Sequence, residues 1–139
     1  MDETKPYQES FPQISREQTL LAYKKFVDRG IKNPDALDLN DSEVIEANDL
    51  FNKWQSQEDV KAQGDADAEQ RVNFEKTMFY VDAGFIDTVY LEEVLGWLAE
   101  DGMGVEKMPD DEKKIGLRTD IANAIKGIRK MLGSSLENK

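Results

Sequence analysis

Apolar residues recur at three- and four-residue spacing along most of this 139-residue chain, and each such stripe predicts an amphipathic helix. The first helix is expected over 15–29, with Leu20, Tyr23 and Val27 on one face and Phe26 beside them. Ser15 followed three residues later by Gln18 fits a capping box. Gly30 is placed to end the helix, with Ile31 behind it as the hydrophobic contact of the cap. Asn33-Pro34-Asp35 is turn chemistry. A second helix is expected over 41–56, carried by Val44, Ala47, Phe51 and Trp54 with Leu50 alongside, and capped by Asn40 or Asp41. Residues 57–67 hold only Val60, Ala62 and Ala66 as apolar positions, together with Gly64, and read as a solvated connector of low stability.

The third stripe, over 68–83, joins Ala68, Val72, Phe79 and Ala83, while Phe74, Met78, Tyr80 and Val81 fall on other faces. A helix that is apolar on several sides belongs at the centre of a fold. The run Thr77-Met78-Phe79-Tyr80-Val81 also suits a strand, but a lone strand has nothing to pair with, so helix is preferred. Gly84-Phe85-Ile86 forms a tight link and Asp87 an N-cap, so the third and fourth helices are expected as an antiparallel hairpin. The fourth helix spans 88–101, with Leu91, Val94, Leu95 and Leu98 inward, Tyr90 and Trp97 widening the face, and Gly102 as its stop. A connector containing Gly104 follows over 103–108. The last helix begins at Pro109, runs to about Leu132 with Gly133 as its C′ residue, and buries Leu117, Ile121, Ala124, Ile125, Ile128 and Leu132. The expected fold is all-α, a compact bundle of about five amphipathic helices. It forms one helical domain over 15–133, with an N-terminal arm over 1–14 and a flexible tail over 134–139. Tyr7, Phe11 and Ile14 are placed to dock the arm, which Pro6 and Pro12 keep irregular.

Composition narrows the chemistry. The chain has no Cys and no His. Disulfides, thiol nucleophiles, zinc fingers, Ser-His-Asp triads and 2-His-1-carboxylate iron sites are therefore excluded, and the commonest general base is missing. A di-iron bundle needs Glu-x-x-His motifs, which this chain cannot form. Adjacent acids such as Asp110-Asp111-Glu112, Glu92-Glu93 and Glu58-Asp59 point about 100° apart on a helix and do not converge on one atom. No cofactor and no metal are expected, and catalysis is disfavoured. The first ten residues are polar and carry Asp2 and Glu3, unlike a signal peptide. The most apolar stretch, 89–99, is interrupted by Glu92 and Glu93 and falls short of the roughly 20 residues a bilayer requires. A cytoplasmic protein without membrane contact is expected.

Net charge is −11 and unevenly spread. Between Asp35 and Gln70 eleven acids face only Lys53 and Lys61, whereas Lys113–Lys130 gathers six basic residues against Asp120. The acidic segment suits a basic partner protein, or a DNA mimic, or simple solubility, and it disfavours direct nucleic-acid binding. Within it, Asp38–Asp49 matches a calcium loop at several oxygen positions. It fails at the sixth, where Glu43 replaces Gly, and at the twelfth, where Asp49 replaces the bidentate Glu, so polar capping is the better reading. Gly96, Gly116 and Gly127 lie inside predicted helices, at about 1 kcal/mol each relative to Ala. Close approach of another backbone, in the same chain or in a second subunit, would offset that cost, so self-association is compatible with the sequence. Tyr23, Trp54, Tyr90 and Trp97 fall on or beside the inward faces; Tyr80 and Ile45 do not. The candidate partner-binding residues are therefore Ile45, Asp59, Asp65, Glu69 and Tyr80. The expected function is a small acidic helical interaction module: an adaptor, regulator or inhibitor of another protein. A DNA-mimic inhibitor and a carboxylate- or metal-dependent enzyme are the alternatives.

Overall fold

A computed structural model describes residues 13–137. Within them the chain forms five α-helices and one 3-10 turn, with no strand. The helices are α1 (Arg16–Asp28), α2 (Ser42–Ala62), α3 (Ala66–Ala83), α4 (Thr88–Glu106) and α5 (Glu112–Glu137), and the 3-10 turn is Pro34–Ala36. Cross-helix contacts fix an up-and-down order. Arg29 meets Glu43 while Gln57 meets Ile14, Asp59 meets Lys76, Thr77 meets Asp101, and Glu106 meets Arg118.

The local signals act as their chemistry requires. The Ser15 hydroxyl accepts the Gln18 N–H at 3.0 Å. Gly30 takes φ 94°, and the Ile31 N–H returns to the Phe26 carbonyl, closing the end of α1. Asp41 caps α2 by accepting the Glu43 N–H, and Asp87 caps α4 by accepting the Tyr90 N–H. Gly84, at φ 113°, ends α3, and the Phe85 N–H bonds to the Tyr80 carbonyl.

Helix α3 is central, as its many-sided apolar pattern requires. Phe79 is fully buried against Tyr23, Phe26, Val44, Trp54 and Phe85 from the α1–α2 side. On its opposite side Phe74, Met78 and Val81 pack on Leu91, Val94, Leu98, Leu117 and Ile121 of α4 and α5. Tyr80 packs against both clusters and joins them. Fully burying a side chain of this size stabilises by about 1.5–3 kcal/mol, so residues of α3 hold the two halves together. Arg16 adds a polar tie. Its guanidinium donates to the Glu75 carbonyl and the Asp82 carboxylate, both at 2.9 Å, and lies over the Trp54 and Phe79 rings.

Several boundaries differ from the sequence expectation. Helix α2 continues to Ala62, so the expected connector over 57–67 shrinks to a turn at Gln63–Asp65. Buried Ala62 and the bonds between Gln57 and Ile14 hold this last stretch. Helix α4 passes through Gly102 and Gly104 to Glu106, because Val105 and Met108 are buried against α5 and reward the extra turn. Helix α5 starts at Glu112 rather than Pro109. Asp111 accepts the Lys114 N–H and the 3-residue lead-in stays outside the helix. Gly133 does not stop α5, which runs to Glu137; this takes in part of the expected tail, and 138–139 lie outside the described residues. Ile14 packs on the α1–α2 cluster as expected of the arm, while the docking expected of Tyr7 and Phe11 falls outside the described residues. Leu95 and Ile125 sit at the edge of the core rather than inside it.

Candidate protein-interaction surface

The side chains with most binding chemistry lie over α3, between α2 and α4. Positions 69, 73, 76 and 80 follow one another at four-, three- and four-residue steps and share one side of α3. Glu69 and Asn73 are exposed there, and Lys76 and Tyr80 half-buried. Helix α2 forms one wall, with its outward stripe of Ile45, Asp49, Asn52, Ser56 and Asp59 exposed throughout. Helix α4 forms the other.

Aromatic rings connect the interior to this surface. From Phe51 the series passes to Tyr80 at 5.3 Å between centroids, to Tyr90 at 6.4 Å and to Trp97 at 5.9 Å. Trp97 ends the series at 41% exposure, which corrects its expected place among core residues. The first of these contacts is tilted and the other two are edge-to-face, and aromatic pairs of this kind contribute about 0.5–1.5 kcal/mol beyond area burial. On α4, Glu93 lies four residues before Trp97 and Glu100 three after it, both exposed, so the indole emerges between two carboxylates.

Electrostatics at the Tyr80 end are set by burial and by acids. Burial raises the Tyr80 pKa, the neighbouring Tyr23 hydroxyl works against it, and the Asp35 carboxylate raises it further. Burial also pushes the Tyr90 hydroxyl far up, aided by Tyr80, Asp35 and Glu93. Both tyrosines therefore stay neutral, Tyr90 buried in the core and Tyr80 half-buried beside it. Asp101 lines the same side of α4; burial raises its carboxyl, and the hydroxyl of Thr77 donates to it at 2.7 Å.

The residues singled out from sequence do not all take part. Glu69 and Tyr80 share the α3 stripe, and Asp59 reaches it from α2 through a 2.7 Å salt bridge to Lys76. Asp65 is occupied as the N-cap of α3, accepting the N–H groups of Asp67 and Ala68. Ile45, 53% exposed, stands on the outer stripe of α2 at the edge of the surface. Tyr80 is half-buried among rings, not an isolated exposed contact. Sequence reasoning missed Trp97, Glu93 and Glu100. The spacing of Glu93, Trp97 and Glu100 was legible, but the loss of a covering neighbour was not. The calcium-like stretch is used locally, since Asp38 accepts the Asn40 N–H, Asp41 caps α2, and 42–49 are helical.

A concavity of about 430 Å³ opens between the start of α1 and the end of α2, lined by Ile14, Arg16, Trp54, Glu58, Lys61 and Glu75. Burial raises the Glu75 carboxyl against the opposing pull of Arg16. No protein-family model, curated protein or solved structure matches this chain. Among the described residues no helix is long and apolar enough to cross a membrane.

Proposed function

We propose that the protein is an interaction module, an adaptor, regulator or inhibitor, that binds a basic protein segment along α3. The observation that carries this reading is the aromatic series ending at Trp97 between Glu93 and Glu100. A cationic side chain placed over such a face gains about 0.5–2 kcal/mol from the ring, more as water is excluded. Tryptophan, tyrosine and arginine are also the residues most often found at the energetic centre of interfaces. The acids supply long-range attraction, which sets the association rate more than the bound-state energy.

The DNA-mimic reading has less support. Glu43, Asp49, Glu58 and Asp59 are held in salt bridges, and Asp41 and Asp65 cap helices, so the acidic segment is not presented as rows of free carboxylates. The test is a binding comparison with the chain as bait. Partners retained by the wild type and lost with Trp97→Ala, while folding by circular dichroism is unchanged, support the reading. Partners retained equally by both contradict it.

A further inference from the structure

A different face of the α4–α5 hairpin carries a second inference, independent of the surface over α3. Helix α4 turns Glu92, Gly96, Ala99 and Met103 outward at steps of four, three and four residues, and all four are exposed. Helix α5 turns Ile115, Thr119, Ala122, Lys126 and Lys130 outward at steps of four, three, four and four, and all are again exposed. Each stripe runs from a large apolar residue, through small ones, to charge. Met103 is 69% exposed and Ile115 61%. Neither Glu92, Lys126 nor Lys130 forms a salt bridge among the described residues.

The hairpin is locked in register at its turn. Arg118 donates to both Glu106 carboxylate oxygens, at 3.1 and 2.8 Å, and the buried Lys114 amine donates to the Glu106 carbonyl and to Asp110. Because the helices are antiparallel, Met103 lies level with Ile115 and Thr119 at the turn end, while Glu92 lies level with Lys130 at the other. A two-fold axis running along the hairpin, in the plane of this face, sets α4 of one copy across α5 of the other at the same level. Glu92 then meets Lys126 and Lys130 of the second copy, Met103 meets Ile115, and Gly96 and Ala99 let the backbones approach. The same operation makes every contact twice, which is what an isologous dimer requires.

We infer that the outer face of the α4–α5 hairpin is a homodimer interface, and that its occupant is a second copy of this chain. The argument is charge complementarity under one symmetry operation, with the apolar ends matched by that same operation. Helix α4, 19 residues long, extends about 28 Å, and two helices about 9 Å apart present a face about 19 Å wide. That buries roughly 1,000 Å² in total, at the threshold for a specific interface, so the dimer is concentration-dependent.

Sedimentation velocity on the full chain tests this. The wild type is expected to shift from monomer to dimer at concentrations on the order of 100 µM at low salt. Glu92→Lys alone, and the pair Lys126→Glu with Lys130→Glu alone, each set like charges across the axis. Each is expected to weaken self-association about tenfold or more. An equimolar mixture of the two variants restores both opposite-charge contacts and is expected to form a heterodimer, an outcome that a merely destabilised fold cannot produce. A wild type that stays monomeric at about 1 mM overturns the inference. So does a dimer that the charge variants leave unchanged, or a mixture that stays monomeric.

Discussion

Acidic side chains close together in this sequence differ widely in what they contribute to the fold. Asp65 and Asp59 illustrate this, since both belong to the same acidic stretch of sequence. Asp65 accepts two N–H groups at the start of α3. Its replacement by Ala is expected to cost about 0.5–2 kcal/mol, as loss of an N-cap does. Asp59→Asn removes an exposed salt bridge and should stay within about 0.5 kcal/mol. Chemical denaturation of the two variants checks the contrast. Glu75 gives a pH-dependent case. Burial raises its folded pKa above the ordinary 4.5, so the folded state holds the proton more tightly than the unfolded state does. Its contribution is fully present below pH 4.5 and is lost as pH rises through the raised value. The stability of the wild type relative to Glu75→Gln should therefore increase as pH falls from 7 toward 4.5. A difference that is flat across that window, or of opposite slope, would refute the assignment.

At the scale of helices, the signals legible in sequence were those that act within four residues. Ser15 with Gln18, Gly30 with Ile31, and Asp87 all end or begin helices where their chemistry says they should. The misplaced ends have tertiary causes. Gly102 reads as a stop until Val105 and Met108 are seen buried beyond it, and the few apolar residues of 57–67 suggest a solvated connector until Ala62 and Gln57 are seen held by neighbours. The surface over α3 was half legible for the same reason. Tyr80 and Glu69 could be named from one stripe, whereas Trp97 lies on another helix whose cover only the packing decides. Glycines make a sharp element-level test. Gly84 has φ 113°, and a Cβ there would lie 2.9 Å from Val27 Cγ1. Gly84→Ala should cost roughly 1–2 kcal/mol from the left-handed conformation alone. Gly127, inside α5, faces open space, and Gly127→Ala should stabilise by about 0.8–1 kcal/mol. Thermal unfolding of the two variants should move in opposite directions.

For the whole molecule, two apolar clusters meet through α3, and a net charge of −11 surrounds them. The charge acts at a distance that salt controls, since the screening length falls from about 10 Å at 0.1 M to about 3 Å at 1 M. Binding of a basic segment should therefore weaken steeply with salt, while the aromatic contribution persists. That combination separates a shaped cationic site from diffuse attraction to an acidic protein. The most direct measurement is a two-dimensional amide NMR titration of the full chain with a helical Lys- and Arg-rich peptide, at low and at moderate salt. The account predicts shifts concentrated at Ser56, Asn73, Tyr80, Glu93 and the Trp97 indole, retained in pattern as salt rises, and lost with Trp97→Ala. Shifts scattered over the acids between Asp35 and Gln70, vanishing with salt and indifferent to Trp97→Ala, would contradict it.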